Sequence, residues 1–258
     1  MDFERHCAEI VKQSDLLRAS LVGADLTAPV PSCPGWNVGQ LVRHLGGGQR
    51  WCAEVVSTRA SSPPPDDHFR DLSPYTAEDP AVVGPWLVEG AALTAEVLRE
   101  AGSSLELWTP LERAGTTTAF WARRFAHETV VHRADAELAL GVEYELDREV
   151  AVDSMDEWMA LGALPEMFDF HPAWRELLGE GRTVHLHATD VPDAEWVVDL
   201  TGGVITWRRA HEKSAVAVRG PLVELLLVVY GRRPPGQRTE VLGDSAFLEH
   251  WVRTVAFG

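Results

Sequence analysis

The feature that most constrains this chain is a change of hydrophobic period. Up to about residue 164, apolar residues recur every three to four positions. Beyond about residue 180 they alternate. A helix cannot bury an alternating pattern on one side, and a strand cannot bury a 3.6-residue one. Cys7, Ile10, Leu17 and Leu21 mark a helix over 3–23, and Val38, Leu41, Leu45, Cys52 and Val55 mark another over 38–58. Further helical stretches cover 79–101, 118–140 and 147–164. Val184, Leu186 and Ala188 then alternate with His185, His187 and Thr189, which predicts a strand. Residues 196–200 and 204–207 predict a hairpin around Gly202-Gly203, and 215–218 a fourth short strand. Helices are predicted over 220–230 and 244–255. The expected organisation is a helical bundle over 1–165 and a small α/β domain over 180–258. A chain of 258 residues is long enough for both to have cores.

Charge excludes several partners. There are 23 basic and 39 acidic residues, net -16. Nucleic-acid or anionic-membrane binding would need a basic surface. Seven acids lie between Glu143 and Glu157, which predicts a solvated face. The N-terminal Met1-Asp2-Phe3-Glu4 lacks the basic start of a signal peptide. The apolar run at Leu222–Tyr230, interrupted by Glu224, is far shorter than the roughly 20 residues of a membrane span. Cys7, Cys33 and Cys52 form no CxxC pair. A reducing cytoplasm is the expected location. The oligomeric expectation is a monomer or a small homo-oligomer.

The second helix starts with Asn37 and Gln40 three residues apart, a capping-box spacing. It also contains Gly46-Gly47-Gly48. Interior glycines cost about 1 kcal/mol each against alanine. Either the helix breaks there, or another group comes close to its backbone.

The residues with chemical potential lie on the fourth helix. His127 and His132 are five apart, roughly 140° around a helix, so they cannot serve one metal as an HExxH pair does. Glu128 and His132 are four apart and share a face. They form either a surface hydrogen bond or half of a divalent-metal site. Asp135 lies near the same face and suits holding the imidazole from behind. His44, between Leu41 and Leu45, is either a satisfied core histidine or a third ligand. One Glu and two His would leave a coordination position open, as in catalytic zinc. Trp36 and Trp121 read as core, Arg124 and Arg133 as ion-pair partners. His185 and His187 read as the solvent face of a strand.

Two stretches resemble the mycothiol-dependent maleylpyruvate isomerase family: SCPGWNVGQLVRHLG over 32–46 and WARRFAHETVVHRADAE over 121–137. The resemblance implies a DinB-like four-helix core, up-down-up-down, and a sterol-carrier-like α/β domain. It implies a divalent metal, usually zinc, held by His44, Glu128 and His132. It also implies mycothiol as the thiol cosubstrate, which would attack an electrophilic small molecule as thiolate. The outcome would be S-transfer or cis–trans isomerisation, in an enzyme of actinobacterial type. The family's terminal arginine corresponds to Arg232 or, second, Arg233. These would bind a substrate carboxylate, or else only complement a helix dipole. Two other readings stay open: a non-catalytic regulatory metal module, and a metal enzyme without thiol, such as a hydrolase or cyclase.

Overall fold

The computed structural model describes residues 1–255. It divides into two compact units, Met1–Tyr144 and Glu145–Gly258. In the first unit the helices are α1 (Phe3–Ser20), α2 (Val38–Ser57), the single turn α3 (Asp67–Arg70), α4 (Pro80–Ala101) and α5 (Thr118–Ala139). Side chains cap three of the four long ones. Asp2 accepts from the Arg5 amide, and Asp79 from the Ala81 amide just after Pro80. Asn37 and Gln40 form the expected capping box at the start of α2. Each cap satisfies amides that the first helical turn leaves without partners.

The four long helices pack as a bundle. α1 packs on α4 and α5, and α2 packs on the same two, so α1 and α2 lie diagonally across from each other. Leu17, Leu21, Leu41, Val42, Leu45, Val83 and Leu87 build one shared core. By length and composition α4 is apolar enough to cross a membrane. Its Val83, Leu87, Ala91, Ala95 and Leu98 are instead fully buried in the bundle.

α2 does not break at its glycines. A Cβ on Gly46 would lie 2.4 Å from the Trp86 ring of α4, and one on Gly47 would lie 2.4 Å from Cβ of Phe69 in α3. These positions therefore serve close approach, and the propensity cost is offset by packing that no side chain would permit. Gly48 differs, since its Cβ would meet Phe125 at an ordinary 3.6 Å.

The second unit contains α6 (Arg148–Gly162), the turn α7 (Met167–Phe170), β1 (Thr183–Ala188), β2 (Glu195–Asp199), β3 (Thr206–Arg208), β4 (Val216–Gly220), α8 (Leu222–Val229), β5 (Glu240–Gly243) and α9 (Ser245–Val255). The strands form one mixed sheet in the order β3-β2-β1-β4-β5. β1 and β4 are parallel, and the other pairs are antiparallel.

Two features differ from the sequence expectation. The units divide at 144/145 rather than within 165–180, because α6 packs on α8 and so joins the sheet unit. β5 is an extra edge strand; it is four residues long and mostly exposed, with no alternation to reveal it.

Candidate metal centre

α2 and α5 place His44 beside His132, and Glu128 lies against His132 one turn earlier on α5. The His44 and His132 rings stand perpendicular with centroids 5.4 Å apart. Nε2 of His132 lies 3.4 Å from Oε2 of Glu128. The other edge of each imidazole is already engaged. Nδ1 of His44 lies 3.0 Å from the carbonyl oxygen of Phe69. A carbonyl only accepts, so Nδ1 of His44 carries the proton and Nε2 carries the lone pair. Nδ1 of His132 donates to Oδ2 of Asp135 at 3.0 Å. Both histidines thus present Nε2 while an oxygen fixes Nδ1, the arrangement that orients metal-binding imidazoles.

Asp135 is fully buried and held in turn. It accepts from the Ser32 hydroxyl at 2.6 Å, and the Cys33 thiol lies 3.8 Å from its other oxygen. Cys33, His132 and Asp135 are close enough to form a metal-type cluster of their own. That cluster uses the Nδ1 edge of His132, which Asp135 already occupies. On the opposite side, Arg124 donates from Nε to Oε1 of Glu128 at 3.0 Å. The Glu128 side chain is 36% exposed and that of His132 11%.

The electrostatics suit a cation. Burial, with His132 adding to it, pushes the His44 imidazole down to about 4, so it is neutral at pH 7. Burial also disfavours charge on His132, but hydrogen bonds to Asp135 and Glu128 outweigh it and raise this imidazole to about 9. For Glu128, burial acts upward; the Arg124 guanidinium and His132 outweigh it and hold the carboxyl well below the usual range. Positive charge at Nε2 of His132 is therefore stabilised from both sides. One imidazole nitrogen from each histidine and a carboxylate are borderline donors, the types that divalent zinc-like ions take once His132 gives up its proton.

Several neighbours were not legible in sequence. Phe69, Ser32 and Cys33 support the ligands through tertiary contacts alone. Trp36 packs its ring 4.8 Å from His44, so it is more than core filling. Arg124 on Glu128 and Arg133 on Glu137 follow the i,i+4 spacing that marked them as ion-pair partners. His127 is fully buried, with its ring 5.9 Å from His6 of α1, away from His132 as its helical angle requires. In the sheet unit, Arg233 forms an ion pair with Glu224 at 2.6 Å, and Arg232 donates to the Tyr230 carbonyl at 2.6 Å.

A four-helix bundle that brings His44 beside His132 and Glu128, followed by a mixed-sheet unit, describes the class of this protein. The family model described as mycothiol maleylpyruvate isomerase N-terminal domain matches residues 7–137, and the MDMPI C-terminal domain matches 149–250. The chain belongs to the mycothiol maleylpyruvate isomerase family, a family of enzymes. Two crystal structures share its fold, mycothiol-dependent maleylpyruvate isomerase and a histidine-to-alanine mutant of it. Their TM-scores are 0.62 and 0.61, at 16% identity and with 93% of each chain covered. No curated protein matches the chain.

Proposed function

We propose that the protein is a metal-dependent thiol enzyme, a mycothiol-dependent cis–trans isomerase or S-transferase acting on a small electrophile. The observation that carries this reading is the approach of His44, Glu128 and His132 with the Nδ1 edge of both imidazoles fixed by an oxygen. A zinc ion held there would lower the pKa of a bound thiol, so that it reacts as thiolate at neutral pH. The chain's own residues do the rest. Phe69 and Asp135 orient His44 and His132. Arg124 keeps Glu128 ionised and fixes one of its oxygens. Burial keeps His44 neutral and therefore able to donate its lone pair.

An external thiol also fits two of the three cysteines. Cys7 and Cys52 are fully buried, and burial raises both thiols, Cys7 to about 11. Neither suits nucleophilic chemistry. For a dicarboxylate substrate we assign the counter-cation to Arg232, with Arg233 second. Replacing Arg232 by alanine is expected to raise KM for such a substrate and leave metal content unchanged.

The deciding experiment is metal analysis followed by mycothiol titration of the cobalt-substituted protein. The thiol reading expects about one equivalent of metal in this site and a change in the cobalt spectrum as thiol binds. An unchanged spectrum at saturating mycothiol overturns it.

A further inference from the structure

The sheet unit contains a second group of metal-type donors, separate from the bundle's and independent of the function proposed above. His185 and His187 lie two apart on β1, so both leave the same face of the sheet. Glu195 of β2 stands directly opposite His187 in the antiparallel register and shares that face. His211 arrives from the segment after β3. The sequence suggested that His185 and His187 merely face solvent. Instead the His185 side chain is 7% exposed and that of His187 22%.

The four side chains converge on a point. Oε2 of Glu195 lies 2.7 Å from Nε2 of His185, 3.0 Å from Nδ1 of His187 and 2.7 Å from Nδ1 of His211. The four donor atoms all lie within 4.8 Å of one another. The rings meet edge-on, with interplanar angles of 76°, 89° and 72°, so they do not stack. One nitrogen of each ring lies against the same carboxylate oxygen, as ligands gather around an ion.

A hydrogen-bonded cluster accounts for this arrangement less well. A carboxylate oxygen offers two lone pairs. His185 and His211 make hydrogen bonds to Oε2 of Glu195, while His187 is close to it without making one. Three imidazoles are one more than that oxygen accommodates.

We propose that His185, His187, Glu195 and His211 form a second divalent-metal site, for zinc or a metal of similar softness. Imidazole-rich sites favour zinc, copper, nickel or cobalt, whereas magnesium and calcium require oxygen. Four protein ligands fill a tetrahedral shell, the closed arrangement of a structural zinc. Neighbouring ligands in such a shell lie roughly 3.3 Å apart, given bonds of about 2.0–2.1 Å. Side-chain rotation covers the difference from the spacing observed. Three ligands sit on paired strands, and the fourth lies on the segment after β3. An ion here would therefore pin that segment to the sheet. The Arg208–Glu212 ion pair already braces the same segment.

The test is zinc stoichiometry and affinity on the full chain, in four proteins. Wild type is expected to bind about two equivalents, His132→Ala about one, His211→Ala about one, and the double variant none. The His211 side chain is 75% exposed, so its removal leaves the core intact. Glu195→Gln keeps the size of the side chain and is expected to weaken the remaining site of His132→Ala at least tenfold. Cobalt added to His132→Ala should give tetrahedral visible bands that His187→Ala in the same background abolishes. The proposal is overturned if His132→Ala binds no metal, or if its remaining equivalent is indifferent to both His211→Ala and Glu195→Gln.

Discussion

A single methyl group at Gly47 tests how the fold supports the bundle site. The added Cβ would stand 2.4 Å from Cβ of Phe69 and 3.4 Å from its Cα. Carbon contacts settle at about 3.5–4.0 Å, so α3 must retreat by roughly 1 Å or more. The Phe69 carbonyl now sits 3.0 Å from Nδ1 of His44. The same retreat carries it beyond hydrogen-bond reach. Three contributions set the stability change. Alanine gains about 1 kcal/mol in helix propensity. Overpacking costs about 1–3 kcal/mol, and the lost hydrogen bond about 0.5–1.5 kcal/mol. The net expectation is a destabilisation of about 0.5–3.5 kcal/mol. Freeing the His44 ring should also weaken metal binding by about 10- to 100-fold, the usual cost of losing an orienting partner. Gly48→Ala is the control. Its Cβ meets Phe125 at 3.6 Å, so zinc affinity should hold and stability should stay level or rise by up to about 1 kcal/mol. Urea denaturation measures the stability of each variant, and zinc competition against a chromophoric chelator measures affinity. Wild-type affinity in Gly47→Ala, or a gain in stability there like that of Gly48→Ala, would refute the reasoning.

Other outcomes follow from the same geometry. His44→Ala and His132→Ala should each lose the bundle metal in elemental analysis; full retention in both would sink the assignment. Asp135→Asn should keep metal but bind it about 10- to 100-fold more weakly, because the His132 ring loses its ionic acceptor. His132 titrates at about 9 while His44 sits at about 4, so zinc binding at pH 7 should release about one proton, from His132. Affinity should therefore rise with pH up to about 9; calorimetry in buffers of different ionisation enthalpy counts the proton, and a count near zero contradicts the scheme. In chelated protein the raised pKa of His132 stabilises the fold fully below its unfolded value of 6.5, and that contribution should fade as pH rises through about 9. Cys7 and Cys52 should resist a pulse of iodoacetamide until the chain is denatured, as peptide mass analysis will show.

Much of the bundle site was legible because its signals are local. Glu128 and His132 share a face through helical geometry alone, and Asp135 follows from the same arithmetic. The capping box of Asn37 and Gln40 needs only a four-residue window. His44 stood out by its place between Leu41 and Leu45, and the resemblance implied its pairing with those residues. Spacing along one helix cannot choose a partner on another.

What the sequence determined by itself was the change of period, most element positions, and the ligand types on one face of α5. Only the tertiary structure decided what stands behind each ligand. Phe69 reaches His44 because Gly47 has no side chain, and Ser32 reaches Asp135 across 103 residues of sequence. It also gathered His211 with His185, His187 and Glu195, residues that alternation alone spread along separate strands and a loop. The reason is physical. Dihedral periodicity is a property of neighbouring residues and can be read along the chain. Contact between distant residues depends on how closely backbones pack, which no single segment specifies.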